Sequence, residues 1–159
     1  MSIVIPDYPT LKLHIIGDDT SGDVADKLKI QVKNLKLEEH IIFRGNKSRD
    51  EVLEEFSASW FSVLPSRVEA FGYVVIESFS VGTPVLGSDT TGIAEIIRDK
   101  KDGFLFKVEN FHDLADKMNT LLKEPELRNN MSVNCKKRFQ DMFELSGSVK
   151  RLKEILAIT

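Results

Sequence analysis

Apolar and polar residues alternate along the chain with two different periods. Short, almost continuous apolar runs are typical of buried strands, and apolar residues that recur at helical spacing are typical of amphipathic helices. The short runs predict about five strands, at residues 11–16, 40–44, 60–64, 85–87 and 103–108. Helical segments separate these strands. We therefore expect an α/β fold, a Rossmann-like and doubly wound parallel sheet with helices on both faces.

Local signals mark where several helices begin and end. Ser48-x-x-Glu51 is a capping box, in which each side chain bonds the backbone amide of the other residue at a helix start. The helix that follows Gly72 is expected to end at Gly82, because glycine adopts the left-handed conformation at little cost. Pro84 prevents its continuation.

A helical C-terminal tail is expected after the last strand. Asn110 is predicted to cap its first helix, Pro125 to begin the second and Ser148 to cap the third. With 159 residues and 42% hydrophobic content, the chain is the size of one domain that can bury a core. We therefore expect residues 1–159 to form a single domain.

Charge and cysteine content exclude several functions. A net charge of −3, from 22 basic and 25 acidic residues, gives no argument for nucleic acid as a partner. No apolar run reaches the roughly 20 residues of a membrane span, and the first residues lack the basic region of a signal peptide. A cytoplasmic location is expected. The single cysteine, Cys135, lies on an apolar helical stripe and is predicted to be a core residue.

The stretch from residue 65 to residue 92 carries the candidate chemistry. Glu77 lies in a helix with apolar residues on most sides, and a carboxylate there needs a partner or a ligand because its desolvation is costly. The alternative is that Tyr73, Glu77 and Ser80 form the polar stripe of an ordinary half-buried helix. Spacing alone favours neither interpretation.

The start of this helix favours an anionic ligand. Gly72 allows a close approach to the backbone, and the free amides of a first helical turn attract anions. Glu69, just before that turn, would direct a second carboxylate at the same cleft. Carboxylates that accept from hydroxyls, beside amides that donate to phosphate, suit a nucleotide sugar.

A longer pattern surrounds these residues and resembles a known family. Its parts are Pro65-Ser66, Glu69-x-Phe71-Gly72-x4-Glu77, Gly82-Thr83-Pro84-Val85 and Thr91-Gly92. Together they resemble the donor-binding signature, called Glu-x7-Glu, of the retaining glycosyltransferases of family 4, which have the GT-B fold. The order of elements is similar from about Leu11 to the C-terminus. The resemblance implies the C-terminal, donor-binding half of such an enzyme.

The resemblance also implies roles for individual residues. Glu69 would contact the hydroxyls of the donor sugar and is the expected catalytic residue, and Glu77 would accept hydrogen bonds from the ribose. The backbone of four consecutive residues would hold sugar and phosphate: Phe71, Gly72, Tyr73 and Val74. Weaker expectations are a nucleobase contact from Gly45, Asn46 and Lys47, which rests on strand order alone, and a donor contact from Gly92. The donor would be a nucleotide-diphosphate sugar, and neither a cofactor nor a metal is expected.

The sequence departs from this family at its front. Family members begin this half with a strand that ends in Gly-Arg and a helix that begins with Lys-Gly, and both cations neutralise the donor diphosphate. Residues 1–10 are too few for that unit. Arg67 and Arg44 are the nearby substitutes, and each is alternatively a surface charge. Without these cations, donor affinity is expected to be low.

The half that binds the acceptor is absent from these residues as well. We expect an N-terminal domain or a partner chain to supply it, and the chain to be inactive alone. That missing half could also bring the protein to the periphery of a membrane, and the exposed sheet edge could support an oligomer.

Two other functions stay open. One is a non-catalytic nucleotide-sugar-binding or assembly module, such as one half of a split enzyme or a degenerate copy. The other is a GT-B protein similar to a sugar-nucleotide epimerase. Dehydrogenase, kinase-like, zinc-dependent and hydrolase functions have no matching motif in the sequence.

Overall fold

Strands and helices alternate from β1 to β5, and two helices follow, in the computed structural model of the chain, which describes residues 1–17 and 23–144. The elements are β1 Leu13–Ile16, α1 Val24–Asn34, β2 Ile41–Gly45, α2 Arg49–Ser57, β3 Ser62–Leu64, α3 Tyr73–Val81, β4 Val85–Ser88, α4 Thr91–Ile96, β5 Gly103–Phe106, α5 Phe111–Lys123 and α6 Pro125–Met142.

All pairings between these strands are parallel, and the strands form two sheets. Strand β1 pairs with β2, with Leu13 opposite Ile41. Strand β4 lies between β3 and β5. The predicted α/β class with Rossmann-like parallel strands is confirmed, with the described strands in two sheets rather than in one. Contacts divide the chain into two compact units, Met1–Val52 and a second unit that begins at Leu53.

The first unit consists of residues 1–10, β1, α1, β2 and the start of α2. Residues 1–10 form mostly turns rather than a strand, and they bury the side chain of Val4 completely. Helix α1 separates β1 from β2, as the expected alternation of strands and helices predicts. Only Val32 of that helix is buried, whereas Val24 and Leu28 are exposed.

The second unit packs its core around β4, which is buried at every residue. Helices α3, α4 and α5 contact this strand and α6 packs on α3. A cluster of buried side chains joins β4, α3, α4 and α6: Val75, Phe79, Val85, Ile93, Ile96, Ile97 and Cys135. Cys135 is fully buried, which confirms the prediction that it is a core residue. Burial, and then the charge of Asp102, raise the pKa of its thiol, so the thiolate is disfavoured.

A buried carboxylate fastens the turn between α4 and β5. Asp102 is fully buried and accepts hydrogen bonds from the amide of Arg98, at 2.7 Å, and from its Nε, at 2.5 Å. The carbonyl of Asp102 accepts from the Cys135 thiol of α6. Because each of these groups is paired, the buried charge is compensated as such a charge requires.

The predicted helix boundaries are formed by the expected residues. Ser48 and Glu51 make the reciprocal bonds of the capping box at α2. The backbone amide of Ser48, then its hydroxyl and the Lys47 ammonium, lower the pKa of Glu51 to about 2. Asn110 accepts a hydrogen bond from the amide of Asp113 and caps α5.

The C-terminal end of α3 is also as predicted. Gly82 ends the helix at φ +84°, and its amide donates to the Phe79 carbonyl. A Cβ atom at Gly82 would lie 2.6 Å from Cε of Lys136, so this glycine also allows α6 to pack closely. The conformation and the packing therefore both favour glycine at this position.

The expected extent of the third strand was wrong at its start. Trp60 was assigned to that strand, but β3 begins at Ser62 and Trp60 is 57% exposed. Its ring packs against the guanidinium of Arg128, 4.7 Å from the ring centroid, instead of entering the core. Helices α5 and α6 confirm the expected helical tail, while the helix predicted after Ser148 lies outside the described residues.

Candidate functional site at the start of helix α3

A left-handed glycine sets the start of helix α3. Gly72 has φ +84° and ψ +48° and occupies the N-cap position. Residues with a side chain rarely adopt this conformation because of steric strain. A Cβ atom here would also lie 3.3 Å from Cδ1 of Ile96. This turn leads the backbone into α3. The first amides of the helix point out of its N-terminal end.

The carboxylate of Glu69 lies on two of these amides. Its Oε1 accepts hydrogen bonds from the amides of Gly72, at 3.1 Å, and Phe71, at 3.3 Å. The next two amides, of Tyr73 and Val74, have no acceptor among the residues that the structure describes. A first helical turn with two unused donors beside a carboxylate can bind a ligand that has both an anionic and a hydroxyl-bearing part.

Glu77 lies one turn further along α3, on the same face as Tyr73. Its side chain is half-buried, and its neighbour Ser78 is fully buried. Tyr73 is 72% exposed, and Ser80 on this face donates its hydroxyl to the Glu77 carbonyl at 2.7 Å. The polar stripe suggested by the spacing therefore exists. Glu77 therefore lies on the same helix face as Tyr73, whose amide is one of the two unused donors.

Apolar side chains surround the helix start without entering the core. Val68 is 88% exposed, Phe71 45% and Val74 40%. The rings of Phe71 and Tyr73 contact each other, with centroids 4.8 Å apart. This exposed apolar surface lies beside the unused amides, where a bound molecule can cover it.

One residue at the end of β4 and one at the start of α4 fix the backbone of the loop at residues 65–72, here called the Glu69 loop. Ser88, at the end of β4, donates its hydroxyl to the carbonyl of Ser66 at 2.5 Å. The amide of Gly92 donates to the carbonyl of Glu69 at 3.2 Å. The sequence analysis did not identify Ser88. Its only signal was a hydroxyl at the carboxyl end of a buried strand.

The three expected nucleobase contacts belong to the first unit. Gly45 ends β2 at φ +67°, and Asn46 is exposed. Lys47 Nζ lies 3.1 Å from Oε1 of Glu51, and this ion pair holds the ammonium at the start of α2.

Arg67, one of the two substitute cations suggested by the sequence, forms an ion pair in the second unit. Nε of Arg67 lies 2.7 Å from Oε1 of Glu109, and both side chains are largely exposed. Both residues line an open groove of about 170 Å³ at the carboxyl ends of β3, β4 and β5, with Pro65, Ser88, Phe106, Asn110, Phe111 and Leu114. The groove includes neither Glu69 nor Glu77, so it is distinct from the polar face of α3.

The described residues, 1–17 and 23–144, include neither a candidate metal site nor a candidate membrane span. Within these residues, no three His, Cys, Asp or Glu side chains are grouped so that they could hold a metal ion. No helix in the described part of the chain has the length and hydrophobicity needed to cross a membrane.

Comparison with known proteins identifies the family. Residues 2–138 match the family model of the glycosyl transferases group 1, and the chain belongs to that family. It is 31% identical over 144 residues to N-acetyl-alpha-D-glucosaminyl L-malate synthase of Bacillus anthracis, covering 91% of this chain and 36% of that protein. It is 33% identical over 141 residues to the uncharacterized glycosyltransferase MJ1178 of Methanocaldococcus jannaschii, covering 89% and 39%. The chain spans less than half the length of these relatives.

Solved structures show the same fold. Anabaena HepE, solved in complex with UDP, superposes with a TM-score of 0.85 at 23% identity, over 95% of this chain and 42% of that one. The C-terminal domain of a glycosyl transferase group 1 family protein (LpcC) from Francisella tularensis superposes with a TM-score of 0.83 at 24% identity, over 91% and 75%. The chain therefore has the fold of the C-terminal half of a GT-B protein.

Replacing Gly72 by alanine tests how strictly the start of α3 requires glycine. We expect Gly72→Ala to lower the free energy of unfolding by about 1–3 kcal/mol, because the left-handed conformation is strained and the new Cβ crowds Ile96. Urea denaturation measures this change. Gly45→Ala is the matched control, since Gly45 is also left-handed but a Cβ there has no neighbour within 4 Å.

The control is expected to lose less stability than Gly72→Ala because it has the backbone strain alone. Equal losses would contradict the tight packing of Gly72 against Ile96.

Proposed function

We propose that the chain is the donor-binding half of a retaining glycosyltransferase of family 4 and that it binds a nucleotide-diphosphate sugar at the start of α3. The observation that carries this proposal is the arrangement of four groups on one surface. These are the unused amides of Tyr73 and Val74, the carboxylate of Glu69 and, one turn along, the carboxylate of Glu77.

The two kinds of group match the two ends of such a donor. Backbone amides at a helix start favour the diphosphate, because the helix dipole adds a partial positive charge to their hydrogen-bond donors. Carboxylates accept hydrogen bonds from hydroxyls, and the resemblance to family 4 implies that Glu69 binds the sugar and Glu77 the ribose. About one helical turn of α3 separates the amides at the helix start from Glu77, so a single extended ligand can contact Glu69, these amides and Glu77.

The relatives support the nucleotide part of this proposal. HepE has been solved with UDP and with UDP-glucose, and both structures superpose on this chain. TarM in a further structure was solved with UDP and an α-GlcNAc-glycerol. We infer a nucleoside diphosphate as the common part of the ligand, and the nucleobase contact expected of Gly45, Asn46 and Lys47 from strand order stays a prediction.

The proposed catalytic role of Glu69 is to orient the sugar. Its carboxylate would hold the sugar hydroxyls so that the anomeric carbon faces the acceptor, and such positioning accounts for several kcal/mol of barrier lowering. Glu69 itself is held by the amides of Gly72 and Phe71, so its orientation is defined before the donor arrives. The acceptor contacts, by contrast, would come from a domain or partner chain outside these residues.

Arg67 is the cation nearest in sequence to this site. Arg67 is paired with Glu109, and that exposed ion pair contributes little stability. A missing charge-assisted hydrogen bond removes about 1.5–3 kcal/mol of binding free energy. We therefore propose that this half binds its donor weakly alone and that further cations come from outside it.

Thermal denaturation with nucleotide sugars tests donor binding. We expect at least one of UDP-, GDP- and ADP-glucose to raise the melting temperature by several degrees, since a ligand at about 100 times its Kd stabilises the folded state by about 2.7 kcal/mol. Glu77→Gln should weaken this binding at least about tenfold, because the ribose loses a charge-assisted acceptor.

Glu95→Gln is the matched control, because Glu95 is an exposed glutamate of α4 outside the proposed site. It should leave the shift unchanged. An absence of any shift at saturating nucleotide sugar would contradict the proposed donor site.

Turnover by the isolated chain tests the proposed dependence on a second half. We expect no transfer and no more than slow donor hydrolysis when the chain is incubated with nucleotide sugars and a panel of acceptors, because nothing holds the acceptor against the anomeric carbon. Product formation is followed by chromatography. Transfer at ordinary enzymatic rates, about 1 s⁻¹ or faster, would overturn this part of the proposal.

A non-catalytic assembly module is the second candidate. One edge of β1 and one edge of β3 have no strand partner among the described residues, and unpaired edges favour pairing with another chain. Light scattering separates the two candidates when it is combined with the binding experiment. A monomer that binds nucleotide sugar favours the donor half, and a stable oligomer without binding favours the module.

A further inference from the structure

We propose that Ser88 and Gly92 are positioning residues for Glu69. They fix the backbone of the Glu69 loop from the end of β4 and the start of α4, and thereby keep the Glu69 carboxylate on the amides of Phe71 and Gly72. For its effect on sugar binding, this inference rests on the function proposed above. The positioning of the Glu69 carboxylate by Ser88 and Gly92 does not depend on that function.

Ser88 holds the beginning of the Glu69 loop. Its side chain is 1% exposed, and its hydroxyl donates to the carbonyl of Ser66 at 2.5 Å and is within 3.3 Å of the carbonyl of Leu64. Both acceptors belong to the segment that leaves β3. A buried hydroxyl with these partners therefore fixes the direction in which the chain enters the loop, three residues before Glu69.

Gly92 holds the loop at Glu69 itself. Its amide donates to the Glu69 carbonyl at 3.2 Å. A Cβ atom at this position would lie 2.5 Å from the Glu69 carbonyl oxygen, 2.7 Å from the carbonyl carbon of Ala70 and 2.8 Å from its oxygen. All three are backbone atoms, which cannot rotate away as a flexible side chain can. Any side chain at Gly92 must therefore displace the loop backbone.

These contacts act on the carboxylate through a short covalent path. The Glu69 carbonyl is held by Gly92, and Oε1 of the same residue bonds the amides of Gly72 and Phe71 at 3.1 and 3.3 Å. A displacement of a few tenths of an ångström takes the longer bond beyond ordinary hydrogen-bond length. The carboxylate is thus positioned by residues that do not touch the ligand.

The first test needs no ligand. Amide resonances of Phe71 and Gly72 are recorded by NMR for the unmodified chain and for Glu69→Ala, which removes the carboxylate. We expect Ser88→Ala and Gly92→Ala to move both resonances in the same direction as Glu69→Ala. Resonances that stay at their original positions in both variants would overturn the proposal. If Gly92→Ala does not fold, Ser88→Ala decides the outcome.

The second test measures the ratio of affinities for a nucleotide sugar and for its nucleoside diphosphate. We expect Ser88→Ala and Gly92→Ala to weaken binding of the nucleotide sugar about tenfold, as the loss of one charge-assisted hydrogen bond does, with the nucleoside diphosphate affected less than about twofold. Gly82→Ala is the control, because it strains the opposite end of α3. It should lower stability and leave the ratio unchanged.

A double-mutant cycle then separates positioning from general damage. In the Glu69→Ala background, Gly92→Ala should weaken sugar binding by less than a further twofold or so, since the group that it positions is gone. Fully additive losses would overturn the proposal. If the unmodified chain binds nucleoside diphosphate and nucleotide sugar equally well, the sugar-binding role of Glu69 fails, and the amide resonances still decide whether Ser88 and Gly92 position the carboxylate.

Discussion

The hydrogen bonds between the Glu69 carboxylate and the amides of Gly72 and Phe71 are the interaction on which the candidate site depends. They are possible because Gly72 is left-handed and turns its amide toward the preceding loop. The same turn starts α3 and leaves the amides of Tyr73 and Val74 without an acceptor in the described part of the chain. One glycine conformation therefore determines the direction of the carboxylate and of the donors beside it.

The hydrophobic core of the second unit holds the elements that carry this arrangement. Strand β4 is buried throughout, and α3 and α4 pack on it through Val75, Phe79 and Ile93. The loops that meet at the site are the segments that leave β3 and β4 at their carboxyl ends, where open parallel sheets bind their ligands. The rigid part of the unit thus positions a polar surface built largely from backbone groups.

Features with a local cause could be predicted from the sequence. The capping box at Ser48 and Glu51 and the end of α3 at Gly82 depend on a few neighbouring residues, and both are found where the pattern predicts them. The motif around Glu69 predicted a carboxylate at the start of α3 for the same reason. Each of these features needs only local backbone geometry.

Features that depend on contacts between distant segments could not be predicted. Trp60 is an aromatic residue of the kind that favours strands. It nevertheless lies outside β3, and its ring packs against Arg128 of α6, much later in the chain. No sequence pattern distinguishes Ser88 from other serines. Its role depends on β4, which places its hydroxyl beside the carbonyl of Ser66. The donor contact expected of Gly92 stays a prediction, and nothing in the sequence indicates that a Cβ atom there would meet the backbone of Glu69 and Ala70.

We propose that a nucleoside diphosphate binds at the first turn of α3. An NMR titration of the isotope-labelled chain with UDP, GDP and ADP tests this proposal, because each backbone amide reports separately. If the proposal is right, the largest shifts, for at least one nucleotide, belong to the amides of Tyr73, Val74 and Gly72. Saturable shifts confined to other parts of the chain, or none at millimolar nucleotide, would contradict it.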